Sequence, residues 1–124
     1  MTAQAIIVTV ESEYLSQQSE PDNARFAFAY HITIHNLSAI QAQLLSRHWI
    51  ITDSNEVKKV VRGMGVIGKQ PLIEAGQAYQ YSSGVVLETP IGTMQGHYTM
   101  IDPQGEPFDV SIKPFLLSTP NTVN

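Results

Sequence analysis

Cysteine is absent from this sequence of 124 residues. Without a thiol the chain can form neither a disulfide nor a thiolate zinc site, so packing alone must stabilise its fold. Cysteine-free chains suit a reducing compartment, and we expect a cytoplasmic location.

Positive charge is also scarce. Seven lysines and arginines face eleven aspartates and glutamates, which gives a net charge of −4. The chain lacks the positive field that draws proteins to phosphate backbones or anionic membranes, so neither nucleic acid nor a membrane surface is predicted as a partner.

Long apolar runs are missing as well, since crossing a bilayer takes about 20 such residues. The segment from Met1 to Val10 lacks the basic start, apolar centre and cleavage site of a secretory signal. No membrane span or signal peptide is therefore predicted.

No stretch of helical length repeats its apolar residues every 3.6 positions, and seven prolines and eight glycines are spread through the chain. Helix should be minor. The length suits one domain, residues 1–124, and the 43% hydrophobic content favours a folded core.

Alternation of apolar and polar residues is the clearest pattern present. It is strongest from Phe26 to Ile34, and an apolar stretch from Leu44 to Thr52 with the only tryptophan, Trp49, predicts a central strand. Asp53-Ser54-Asn55 predicts a turn, and Asp102-Pro103-Gln104-Gly105 predicts another. The segment from Ser16 to Asn23 is predicted to be a long loop.

With further strands at both ends and around Tyr81 and Met94, the pattern gives about seven strands. Many short strands with regular turns predict an all-β antiparallel sandwich. The residues expected to share its core are Phe28, Tyr30, Ile32, Trp49, Tyr98, Phe108 and Val110.

The segment from Gly63 to Gly68 fits the glycine fingerprint of dinucleotide-binding proteins by its letters alone. That fingerprint works by opening a helix toward a pyrophosphate, and Pro71 follows too soon for a helix. We interpret it as a bend between strands, where glycine permits positive φ. A minor alternative is weak binding of an anion by exposed amides and flanking charges, at Arg62, Gly63, Gly65, Gly68 and Lys69.

Catalytic chemistry has no recognisable motif. Gln70 stands where a P-loop places a serine or threonine for magnesium, and no serine lies in the context of an activated nucleophile. His31 and His35 would lie about 13 Å apart on one strand, too far to share an ion, so no metal and no cofactor is predicted.

Arg47 is unusual because it interrupts an apolar strand next to Trp49. A charged guanidinium there needs either a partner or an exposed face. An outward-facing side chain is the slightly favoured interpretation. Tyr79, Tyr81 and Tyr98 are equally ambiguous, since tyrosine is common both in cores and on recognition surfaces.

Several blocks, read together, resemble the ApaG family. They occur in the expected order and cover nearly the whole chain: Leu44 to Asp53, Gly63 to Pro71, Tyr81 to Gly84, Thr89 to Tyr98 and Ile112 to Leu117. One departure is the turn Asp53-Ser54-Asn55-Glu56, where family members usually have aspartate followed by glycine.

The resemblance implies an immunoglobulin or fibronectin type III-like sandwich, free in bacteria and joined to F-box or polymerase-interacting proteins in eukaryotes. Bacterial members are linked to cobalt resistance and magnesium efflux, and are often encoded beside a diadenosine tetraphosphate hydrolase. A chain without a membrane span could affect ions only indirectly.

Our leading hypothesis is a non-enzymatic domain that binds a protein, with a phosphate-bearing small molecule as a secondary ligand. The alternative is an enzyme or carrier acting on nucleotide polyphosphates. Exposed edge strands also make a homodimer plausible.

Overall fold

The computed structural model describes residues 5–120, so the prediction about a secretory signal falls partly on residues outside that range. Eight strands make up the fold: β1 Ile6–Tyr14, β2 Phe26–Asn36, β3 Ala42–Asp53, β4 Lys58–Met64, β5 Leu72–Ile73, β6 Ala78–Leu87, β7 Ile91–Ile101 and β8 Pro107–Ser118. The predicted loop after β1 contains two 3₁₀ turns, Ser16–Gln18 and Pro21–Asn23. No described helix is long and apolar enough to cross a membrane.

Two antiparallel sheets face each other. One has the order β1-β2-β6; the other has the order β4-β3-β7-β8, with β5 paired to the start of β3. The predicted all-β sandwich is therefore confirmed, with eight strands instead of about seven. The additional strand is β5, whose two residues are too few to show alternation.

The core lies between the sheets because alternate residues of each strand point inward. Along β2, from Phe28 to Asn36, every second side chain is buried. Trp49 packs its ring edge-on against Tyr30 of the opposite sheet, with ring centres 5.6 Å apart. Six of the seven predicted core residues are buried, and Phe108 is half-buried against them.

A β-bulge at Leu45 changes which residues of β3 face inward. Leu44 pairs with Met100 and Ser46 with Thr99, so Leu45 is an extra residue. Before it, the even-numbered Leu44 is buried; after it, the odd-numbered Trp49 is. An inserted residue shifts the alternation in this way.

The two sides of the sandwich differ. Along one side β1 packs against β8, and the Ser12 hydroxyl donates to the Leu116 carbonyl at 2.8 Å. On the other side lie the edges of β4 and β6, and within residues 5–120 each of these strands has a neighbour on one side only. A cleft opens between these two edges, which we call the β4–β6 cleft.

Candidate functional site

The glycine segment forms a tight turn after β4. Val66 and Lys69 pair as a two-residue bridge, their backbone groups exchanging hydrogen bonds of 2.7 and 3.0 Å. Between them Ile67 and Gly68 both have positive φ, of 48° and 73°. That geometry is typical of a type I′ turn. The predicted bend between strands is what the segment forms, and β5 follows it rather than a helix.

Gly65 is required by this geometry. Its φ is +65°, and a Cβ there would overlap the Lys69 carbonyl. The Gly65 amide donates to the Leu45 carbonyl at 2.7 Å, and the Gln70 side-chain amide donates to the same oxygen at 3.0 Å. The bulge therefore anchors the turn, because the Leu45 carbonyl accepts hydrogen bonds from the turn.

The residues of the predicted anion site are distributed over this turn and the end of β4. Arg62 and Lys69 are exposed, Arg62 being paired with His48 across the sheet. The amides of Gly65, Val66 and Lys69 already donate to backbone carbonyls. These three amides are therefore not free to bind an anion, and the anion site stays a prediction.

Arg47 faces inward, contrary to the slightly favoured interpretation. It lies two residues from buried Trp49, and both line the space between the sheets. Its Nη1 donates to the carbonyls of Met64 and Gly65 at 3.2 and 2.9 Å. The guanidinium thus has the partners that its half-buried position demands.

Two adjoining hollows make up the β4–β6 cleft. They measure about 260 and 380 Å³ and share four lining residues, Tyr30, Arg47, Trp49 and Ser83. The smaller hollow reaches the glycine turn at Ile67 and Gly68. The larger one is bounded by apolar side chains, namely Ile51, Val61, Val85, Val86 and Met94, and by Gly84 and Lys59.

Tyrosine hydroxyls gather at the base of the cleft. Tyr81 of β6 and Tyr98 of β7 form a short hydrogen bond through their hydroxyls. Burial raises the pKa of both groups well above the ordinary tyrosine value, and the nearby Arg47 charge opposes the rise only weakly. Both are therefore neutral hydroxyls at physiological pH.

Trp49, which lines both hollows, carries a further hydrogen-bond donor. The residue is 2% exposed, and its indole Nε1 is buried with no hydrogen-bond acceptor among residues 5–120. Buried polar groups in folded proteins are nearly always hydrogen-bonded, so an unpaired donor beside a cavity is a feature that a bound ligand would explain.

The histidines lie elsewhere. His48 and His97 stack at 4.9 Å, and His97 Nε2 lies 3.9 Å from a carboxylate oxygen of Asp109. His31 contacts Ser82 and Glu13, whereas His35 lies near Thr9. Within residues 5–120, no three side chains of histidine, aspartate or glutamate are grouped as a metal site.

The sequence indicates several polar residues in and beneath the cleft but not their assembly. Arg47, Trp49, Tyr81 and Tyr98 were each singled out, yet they lie on three strands. The residue that indicated a site was Arg47, because a charged side chain in an apolar strand needs hydrogen-bond or charge partners. The bulge that turns it inward leaves no mark on composition.

A sequence model described as the ApaG domain matches residues 16–102. The chain is 50% identical to Protein ApaG of Escherichia coli O1:K1 over 119 residues, covering 96% of this chain and 95% of that protein. Protein ApaG of Shigella boydii serotype 18 matches equally well, at 50% over the same length with the same coverage.

Solved structures agree with this. A crystal structure of the putative ApaA protein from Bordetella pertussis has a TM-score of 0.91 at 46% identity, covering 94% of this chain and 95% of that one. An X-ray structure of a structural-genomics target has a TM-score of 0.93 at 48% identity, covering 98% and 92%.

Proposed function

The chain belongs to the ApaG family, and from this premise we propose that it is a non-enzymatic binding domain whose partner is an acidic, extended segment of another protein. The observation that carries the proposal is the exposed edge of β4. This strand pairs with β3 on one side, and its other side offers backbone groups to a further strand.

The side chains of β4 suit such a partner. Val60 and Met64 are large apolar residues that are 51% and 70% exposed, and Lys58 and Arg62 lie on the same face. An added strand would cover the apolar pair while its acidic residues meet the two cations. Clustered exposed apolar residues of this kind mark interaction sites.

Positive charge is concentrated in and around β4. Five of the seven lysines and arginines fall between Arg47 and Lys69, in a chain of net charge −4. Pairing of β4 with a second copy of itself would bring like charges together, which is unfavourable. A partner of opposite charge is favoured, whereas the predicted homodimer stays a prediction.

The same positive charge would favour weak binding of a phosphate at Arg62 and Lys69. An effect on cobalt or magnesium handling would then pass through the protein partner. We further propose a cytoplasmic location.

A charge-reversal experiment tests it. The full chain captures partners from a bacterial lysate, and mass spectrometry quantifies them. We expect the Lys58→Glu, Arg62→Glu variant to lose a partner that the native chain captures, and that partner to elute with rising salt. The matched control is Arg25→Glu, Lys113→Glu, which changes the charge equally at two exposed positions elsewhere.

Equal capture by both variants would contradict the proposal. Turnover of diadenosine tetraphosphate by the purified chain would instead favour the alternative, an enzyme acting on nucleotide polyphosphates.

A further inference from the structure

We propose that the β4–β6 cleft is a binding site for a small carboxylic acid with an apolar body, whose carboxylate contacts Arg47 and the indole N–H of Trp49. This site uses side chains that point between the sheets, whereas the proposed protein segment adds to the free edge of β4, at the rim of the cleft, and uses the exposed Lys58 and Arg62. The inference is therefore independent of the proposed function.

The polar groups that meet in the cleft are mainly donors. The Trp49 indole N–H is buried without an acceptor in the described part of the chain, and a hydroxyl, that of Ser83, lies on the facing strand. Arg47 adds a guanidinium. A set of converging donors is suited to a ligand that presents acceptors.

The charge of Arg47 points to an anion. Its Nη1 donates to two backbone carbonyls, which are neutral, and no carboxylate lies within ion-pair distance of it among residues 5–120. The planar fork of a guanidinium matches a carboxylate. One negative charge balances the half-buried Arg47, and the second cation of the cleft, Lys59, is exposed to solvent. A phosphate dianion would bring a second charge into a half-enclosed site beside Arg47, which is costly.

The rest of the cleft selects the body of the ligand. The larger hollow, of about 380 Å³, is bounded by Ile51, Val61, Val85 and Met94. Pockets for small molecules typically have this size and an apolar lining with few polar groups. A phenyl ring or short alkyl chain attached to the carboxylate would occupy it.

The single tryptophan provides a specific readout, because the protein has only one indole N–H resonance. We would titrate ¹⁵N-labelled full-length chain with 3-phenylpropanoate, 3-phenylpropanamide and phenyl phosphate. We expect a saturable shift of the indole peak with the carboxylate and binding at least about tenfold weaker with the neutral amide.

Three results would overturn the proposal: no saturable indole shift with 3-phenylpropanoate, equal binding of the amide, or tighter binding of phenyl phosphate. These tests use the native chain, so no variant has to fold.

Variants locate the site. Arg47→Gln should weaken 3-phenylpropanoate about tenfold or more, and Ser83→Leu, which fills the shared part of the cleft, should abolish binding. Arg62→Gln is the matched control, since its guanidinium is exposed outside the cleft. The Lys58→Glu, Arg62→Glu variant should also bind the probe normally, which separates this site from the protein-binding edge. Unchanged binding by Ser83→Leu would overturn the assignment.

Discussion

The guanidinium of Arg47 occupies the space that a side chain at position 63 would need. A Cβ built on Gly63 would lie 2.7 Å from Nη1 and 2.8 Å from Nη2. The two residues are directly paired across β3 and β4, so a glycine on one strand makes room for the cation on the other.

Gly63→Ala should therefore displace Arg47 and destabilise the protein by about 1–3 kcal/mol through overpacking. Urea denaturation measures this free energy. The control is the same substitution in the Arg47→Met background, where no guanidinium lies near the added Cβ and the loss should be smaller. An equal or smaller loss in the native background would contradict the steric argument.

Replacing Arg47 by methionine should destabilise the protein and loosen the glycine turn. The change removes the hydrogen bonds to the Met64 and Gly65 carbonyls, with an expected loss of about 1–3 kcal/mol. Hydrogen exchange should accelerate between residues 63 and 70 and stay unchanged in β1 and β2. Arg25→Met, at an exposed position, serves as the control; faster exchange throughout the chain would show a general effect instead.

Stability should fall at alkaline pH because of Tyr81 and Tyr98. Burial raises the pKa of both groups, so the folded protein holds these protons more tightly than the unfolded chain. The stability they contribute is complete below about pH 10, the unfolded value, and is lost above it at about 1.4 kcal/mol per pH unit for each tyrosine. Urea denaturation between pH 8 and 11 should show a shallower decline for Tyr81→Phe. Parallel declines would refute the assignment.

Asn36 is the one fully buried asparagine of the described residues, and its donors and acceptor are all used. Its amide donates to the carbonyls of Ile40 and Ile73 at 2.9 Å each, and its oxygen accepts from Ser38. Asn36→Asp places an oxygen against those carbonyls, and we expect a loss of about 2–4 kcal/mol. Thermal and urea unfolding measure it. Asn55→Asp, at an exposed position, should change little.

The turn after β3 contains a correctable strain. Glu56 has a φ of 63°, where glycine is favoured, and Asp53 holds the turn by accepting from the amides of Asn55 and Val57. Glu56→Gly should stabilise the protein by about 0.5–1 kcal/mol. Asn55→Gly, whose φ is not positive, should give no gain. A destabilised Glu56→Gly protein would count against this interpretation.

The strands could be predicted because each long one carries its own alternation, as β2 does from Phe28 onward. The face of β3 on which Arg47 lies could not be predicted. One extra residue, Leu45, reverses the alternation, and nothing in the composition marks it. The cleft could not be predicted either. It needs Tyr30, Arg47 and Tyr81 from three strands far apart in the chain, and only the pairing of sheets brings them together.

The bulge at Leu45 also determines how β3 tolerates insertions and deletions. Without Leu45, the ladder would run regularly from Leu44 to Ser46, and Arg47 and Trp49 would keep their present faces. A ladder that kept Leu45 but lost the bulge would turn both side chains outward. The strand can therefore shorten by one residue at this point and still present the same chemistry to the cleft, at the cost of the carbonyl that anchors the glycine turn.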